Sequence, residues 1–142
     1  MLPSSHKPVI ITVDDSPIIL RTVSKVLSDV YKVYTLSKPA ELGKVLQNLN
    51  PDLFILDFKM PGINGFDLIP VIKRFAWHQD TPIIFLTSEG TIDNVTAAIA
   101  LGAQDFIVKP FRPDVLREKV SKHITLKEMF LFSEFPAAKL LV

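Results

Sequence analysis

Four short apolar runs in this chain end on residues able to do chemistry, and each is broken off at once by turn-forming residues. "PVIITV" runs into Asp14-Asp15-Ser16-Pro17, and "DLFIL" into Asp57, with Met60-Pro61-Gly62 and Asn64-Gly65 close behind. "PIIFL" runs into Thr87-Ser88-Glu89-Gly90, and "DFIV" into Lys109-Pro110. Taken singly, each has an ordinary reading. Asp14-Asp15 ahead of Ser16-Pro17 makes a good helix start. Asp57 is a strand-end acid, Thr87 a strand former, and Lys109-Pro110 a strand terminus. Taken together they offer three carboxylates, a hydroxyl and one ammonium. Three carboxylates with one lysine are costly to gather unless a cation joins them. Hard oxygen ligands with room for water suit Mg²⁺, whose remaining ligand can be a phosphoryl oxygen. A carboxylate nucleophile forming an aspartyl phosphate is an established route for phosphoryl transfer.

The elements that must bring these residues together follow from the hydrophobic pattern. "PVIITV" (from Pro8), "KVYTL", "DLFILDF", "TPIIFLTS" and "DFIVKP" read as five strands. Between them, apolar residues recur at helical spacing: Ile18, Ile19, Val23, Val26, Leu27 and Val30; Leu42, Val45, Leu46 and Leu49; Leu68, Ile69, Ile72 and Phe75; Ile92, Val95, Ala98, Ile99 and Leu101. A last helix begins near Pro113 with Val115, Leu116 and Val120 on one face. Nearly continuous apolar strands alternating with helices require a buried parallel sheet with right-handed crossovers. The expected fold is α/β, a doubly wound five-stranded parallel sheet. In such sheets the reacting site lies beyond the carboxyl ends of the strands, where all of the residues above fall.

Composition narrows the function classes. At 142 residues, 48% hydrophobic and 22% charged, the chain has the make-up of one compact domain. A formal net charge of +1, with Lys and Arg dispersed among the acids, argues against a nucleic-acid surface. The absence of cysteine excludes disulfides, thiolate metal sites and a cysteine nucleophile. No apolar run approaches a membrane span, and the first residues carry no signal-peptide pattern, so the cytoplasm is the expected location. His6, His78 and His123 have no metal-like spacing and are expected on the surface.

Asp14-Asp15, Asp57 with Met60-Pro61-Gly62 and Gly65, Thr87, and Lys109-Pro110-Phe111 stand in the order and spacing of a receiver domain. Over roughly Pro8 to Ile124 the chain resembles the receiver domains of two-component response regulators. The resemblance implies a flavodoxin-like (βα)5 fold with strand order 2-1-3-4-5. Asp57 would accept a phosphoryl group from a histidine kinase or phosphotransfer protein, and Asp14, Asp15, Asp57 and the Lys59 backbone carbonyl would hold Mg²⁺. Thr87 would bond a phosphoryl oxygen, Lys109 would pair with the phosphate, and a cis Lys109-Pro110 bond is expected. Thr87 and Phe106 would form the switch, acting on the face made by helix 4, strand 5 and helix 5. Such a domain catalyses its own phosphorylation and dephosphorylation without being a metabolic enzyme.

The organisation expected is an N-terminal lead at 1–7, the receiver at 8–125, and a tail at 126–142 that extends the last helix or links onward. The tail "LKEMFLFSEFPAAKLLV" is rich in Leu and Phe, which suits docking on this domain, on a second copy to form a homodimer, or on an output domain. Three features depart from the receiver pattern. Ser88 stands where Ala or Gly is usual, and Lys59 and Glu89 overhang the site where side chains tune phosphate loss. Pro70 falls within the third helix, where a kink or a late start is expected. Three alternatives carry less of the pattern. A phosphatase of the haloacid-dehalogenase kind wants an acid where Lys59 stands. A flavodoxin wants a glycine- and hydroxyl-rich phosphate loop where "DDSP" stands. A non-phosphorylated pseudo-receiver usually lacks some of the site residues, and here none is missing.

Overall fold

The computed structural model describes residues 7–88 and 92–124. Its frame is a sheet of five parallel strands: β1 (Val9–Val13), β2 (Lys32–Leu36), β3 (Leu53–Asp57), β4 (Ile83–Thr87) and β5 (Asp105–Val108). Their spatial order is β2-β1-β3-β4-β5, as expected. Every residue of β3 and β4 is buried, whereas β2 and β5, at the edges, are only partly covered. The winding reverses at β1, so its carboxyl end and that of β3 flank the crevice where such sheets bind ligands.

Among the described residues five α-helices cover the two faces: α1 (Pro17–Leu27), α2 (Leu42–Val45), α3 (Leu68–Lys73), α4 (Ile92–Ala100) and α5 (113–124). The two-residue period of the strands divides the core. Ile10, Ile55, Ile84 and Ile107 pack with Val23 and Leu27 of α1 and Leu116 and Val120 of α5. Ile11, Val13, Phe54, Leu56 and Phe85 face the other way, with Leu42 of α2, Leu68 and Ile72 of α3 and Ala98 of α4. Each fully buried side chain of this size contributes roughly 1.5–3 kcal/mol.

Two helices differ from their apolar spacing. The 42–49 pattern suggests a full helix, but a 3-10 turn at Pro39–Glu41 leads into α2, which closes after Val45. Gly43 weakens this segment, and a Cβ there would sit 3.4 Å from Val71 Cγ1, so α2 and α3 approach closely at this point. In α3, Asn64 N–H donates to Asp67 Oδ2 at 2.9 Å and a 3-10 turn fills Gly65–Asp67. The α-helix proper starts at Leu68. Pro70 therefore falls in its first turn, where its missing N–H costs nothing: the late start, and not the kink, is what the chain adopts.

Two of the histidines expected on the surface are not there. His78 is 1% exposed, its Nδ1 lies 2.8 Å from Thr81 Oγ1, and its ring meets Phe54 edge-on at 5.3 Å. His123 has a side chain only 11% exposed, with Nε2 2.9 Å from Asp105 Oδ2. In both cases a polar partner at hydrogen-bond distance makes burial tolerable. His6, Glu89 and the tail at 126–142 lie outside the described residues.

Candidate functional site

Asp14 follows the last residue of β1 and continues the ladder by donating its N–H to Leu36 O at 3.1 Å. Its carboxylate has two partners: Oδ1 accepts the Ser16 N–H at 2.9 Å and Oδ2 meets Lys109 Nζ at 3.0 Å. The helix cap itself is Ser16, whose Oγ accepts from Ile19 N–H at 3.4 Å, with Pro17 opening the first turn. Asp14-Asp15 is thus free of the capping duty that its sequence context also allowed. Asp15 is exposed beside it.

Asp57 is the last residue of β3 and pairs across the sheet with Leu86. The chain then turns back beneath it, Phe58 N–H donating to Leu86 O at 2.8 Å and Gly65 N–H to Phe58 O at 2.9 Å. Gly65 is required by contact: a Cβ there would collide with the Asp57 carbonyl oxygen and the Phe85 ring. Gly62, at φ 76°, supplies the left-handed residue of the turn. Lys59 is exposed and forms a two-residue antiparallel ladder, Lys59 and Met60 against Ile63 and Asn64.

Thr87 ends β4 one residue beyond the rung that pairs Asp57 with Leu86, and is 5% exposed. Its carbonyl accepts the Lys109 N–H at 2.7 Å, and the Lys109-Pro110 bond is cis. Lys109 Nζ stands 3.0 Å from Asp14 Oδ2 and 3.0 Å from Asp57 Oδ1.

The charges do not balance. Asp14 is fully buried and Asp57 is 5% exposed, and among the described residues the Lys109 ammonium alone pairs with both. Burial, then the Asp14 charge and the Asp15 side chain, push the Asp57 carboxyl from 3.8 up to about 6 although Lys109 pulls it down. Burial also works against the Lys109 ammonium, but the bonds and charges of Asp57 and Asp14 outweigh it and hold Lys109 above its ordinary value. Ligand oxygens of Asp14, Asp15 and Asp57 lie within 4.8 Å of one another. Hard oxygens at that spacing, short of positive charge, fit a small divalent cation.

Of the residues singled out in the sequence, Asp14, Asp15, Asp57 and Lys109 therefore converge, and Thr87 stands on the strand beside Asp57. Phe106, half-buried in β5, shares with Thr87 a narrow crevice floored by Phe85 and Ala98. Ser88 is exposed next to Thr87.

A second carboxylate cluster escaped the sequence reading. Asp105, which opens β5, accepts from Lys119 Nζ at 2.7 Å and from Phe106 N–H at 2.8 Å, both through Oδ1, while His123 Nε2 lies 2.9 Å from its Oδ2. Burial works to raise its carboxyl, but the Lys119, His123 and Phe106 bonds together outweigh it and hold the group below its ordinary value. Lys119 and His123 lie four apart on α5, so their shared face was legible. The strand register that sets Asp105 under them was not.

Comparison with known proteins agrees with this geometry. A profile of the response regulator receiver domain matches residues 10–121. Chemotaxis protein CheY1 of Helicobacter pylori is 34% identical over 116 residues, covering 78% of this chain and 92% of that protein. Regulatory protein LuxO of Vibrio vulnificus is 42% identical over 79 residues, which span 56% of this chain but 17% of LuxO. The solved structure of the chemotaxis response regulator CheY4 of Vibrio cholerae superposes with a TM-score of 0.77 at 30% identity, covering 82% of this chain and 98% of that one. With the sheet order, the acidic strand ends and the profile in agreement, the chain belongs to the response regulator receiver domain family of two-component systems.

Proposed function

We propose that this receiver is a phosphorylation-controlled switch with Asp57 as phosphoacceptor. The observation that carries the reading is Asp57 itself: a strand-tip carboxylate 5% exposed, 3.0 Å from an ammonium and crowded by two further acids. A phosphohistidine on a histidine kinase or phosphotransfer protein is the donor. A carboxylate oxygen of Asp57 bonds to phosphorus as the P–N bond breaks, and the electron pair leaves with the imidazole.

Asp14, Asp15, Asp57 and the Lys59 carbonyl would hold Mg²⁺, which when bound neutralises charge on the transferring phosphoryl oxygens. Lys109 pairs with one phosphoryl oxygen and the Thr87 hydroxyl bonds another. Lys59, with Glu89, governs access of the hydrolytic water. Phosphorylation draws Thr87 toward the phosphate, Phe106 turns into the crevice between them, and the face of α4, β5 and α5 changes its partner preference. Ile99 and Val108, 59% and 41% exposed, give α4 and β5 apolar surface for such a partner. The partner is an output domain or a second copy, reached through that face and the tail at 126–142, with the receiver itself at 8–125. The setting is cytoplasmic, in keeping with a chain lacking cysteine, and no helix among the described residues is long and apolar enough to cross a membrane.

Intact mass after incubation with acetyl phosphate tests the reading. One phosphoryl group should be added, only with Mg²⁺ present and not in Asp57→Asn. No adduct in the wild type, or an equal adduct in Asp57→Asn, would overturn it.

A further inference from the structure

The Phe106 side chain lies on the α4 face of the sheet, packed against the cluster that contains Phe85 and Ala98. The ammonium over its ring nevertheless comes from α5, on the opposite face: Lys119 Nζ sits 5.2 Å from the Phe106 ring centroid. To reach it, Lys119 passes around β5, the last strand of the sheet. Its head group is fixed there by two further contacts, with Asp105 Oδ1 at 2.7 Å and the Phe106 carbonyl at 2.9 Å. Asp105 is in turn oriented by the Phe106 N–H at 2.8 Å and by His123 at 2.9 Å. The ammonium is therefore held at one place, over one ring. Phenylalanine has no hydroxyl that could anchor it by a hydrogen bond, so the negative face of the ring is its only polar handle.

We propose that Lys119 is the positioning residue that keeps the Phe106 ring at the sheet edge, and that the turn of Phe106 toward Thr87 has to break this cation–ring contact. The proposal rests on the reading of Phe106 as the switch aromatic. A contact made in only one of two conformers sets their ratio by its own strength. Lys119 thus favours the unphosphorylated arrangement, and Asp105 and His123 act on the switch by aiming Lys119. The crevice beside Thr87, too narrow for a water molecule, is the space the ring would widen on entering.

The test uses the full chain with 4-fluorophenylalanine at position 106, its fluorine resonance followed during titration with beryllofluoride in Mg²⁺. Lys119→Met keeps the aliphatic stem without the charge. It should move the ligand-free resonance part of the way to its beryllofluoride-bound position and tighten beryllofluoride binding roughly two- to tenfold. Lys119→Arg, which keeps a cation over the ring, should restore both values. Asp105→Asn, which leaves Lys119 in place but poorly aimed, should shift both in the same direction as Lys119→Met. If the wild-type resonance responds to beryllofluoride but Lys119→Met leaves affinity unchanged, or Lys119→Arg behaves as Lys119→Met, the role of Lys119 is overturned and the phosphorylation reading survives. A wild-type resonance that ignores beryllofluoride overturns both.

Discussion

Two carboxylate–lysine clusters sit at opposite ends of β5, and they are built from the same residue types to opposite effect. At the carboxyl end, Lys109 is shared by Asp14 and Asp57, with Asp15 close by, and the Asp57 carboxyl rises to about 6. At the amino end, Asp105 alone receives Lys119, His123 and a backbone N–H, and its carboxyl is held below the ordinary value. The difference lies in the ratio of negative to positive groups, since Asp57 and Asp105 are both largely shielded from water. An excess of carboxylates leaves a site wanting a cation and an electrophile. An excess of donors makes a fastening.

Removing one carboxylate should therefore act in opposite directions at the two places. Asp57 keeps its proton to higher pH in the folded state than in the unfolded chain, so stability falls as pH rises from about 4 to about 6. Above that range the full cost remains, at most about 3 kcal/mol for a shift of this size. Asp57→Asn should raise stability in metal-free buffer at neutral pH by up to that amount and flatten the acid-side slope, as read from urea midpoints against pH. An equal or lower midpoint would remove the contrast between the clusters.

Asp105→Asn should destabilise at neutral pH, by roughly 2 kcal/mol for loss of hydrogen bonds to a charged acceptor. Because the folded carboxyl is held below its unfolded value, the stabilisation is present above the ordinary carboxylate range and is lost on acidification through the lower folded value. The gap between wild type and Asp105→Asn should accordingly close at low pH in the same urea series.

Mg²⁺ sharpens the comparison from the ligand side. At ten times its dissociation constant it should stabilise the wild type by about 1.4 kcal/mol, Asp57→Asn by much less, and Asp105→Asn as much as the wild type. Thermal melts with and without the ion distinguish these cases. The smallest effect is expected at a third ion pair, Arg112 with Asp114, whose side chains are 77% and 61% exposed. Arg112→Ala should leave the melting temperature unchanged, since water competes for both partners.

How far the sequence revealed these features follows from the range of the interaction concerned. The strands were legible because burial on both faces makes them continuous apolar runs, and a (βα)5 order then leaves few topologies. Asp14, Asp57, Thr87 and Lys109 were legible because strand ends converge in any such sheet. The Asp105 cluster was not, because it needs the register of a particular edge strand against a particular helix. His78 was misjudged because a lone histidine carries no sign of its partner, although Thr81 three residues on and the neighbouring Phe75 and Trp77 were a usable hint. Gly65 was noticed as part of a motif, but the reason for it, a carbonyl and a ring pressed against its Cα, appears only in three dimensions.

The bonds that Asp105 and Lys119 make to the Phe106 backbone also bear on self-association. An outer strand ordinarily offers a row of free N–H and C=O groups onto which a strand of another molecule can add. Here the Phe106 N–H is taken by Asp105 and the Phe106 carbonyl by a lysine, so the middle of β5 is closed to sheet extension. If the proposed α4-β5-α5 face takes a second copy, the two domains would meet there without zipping together along that strand edge.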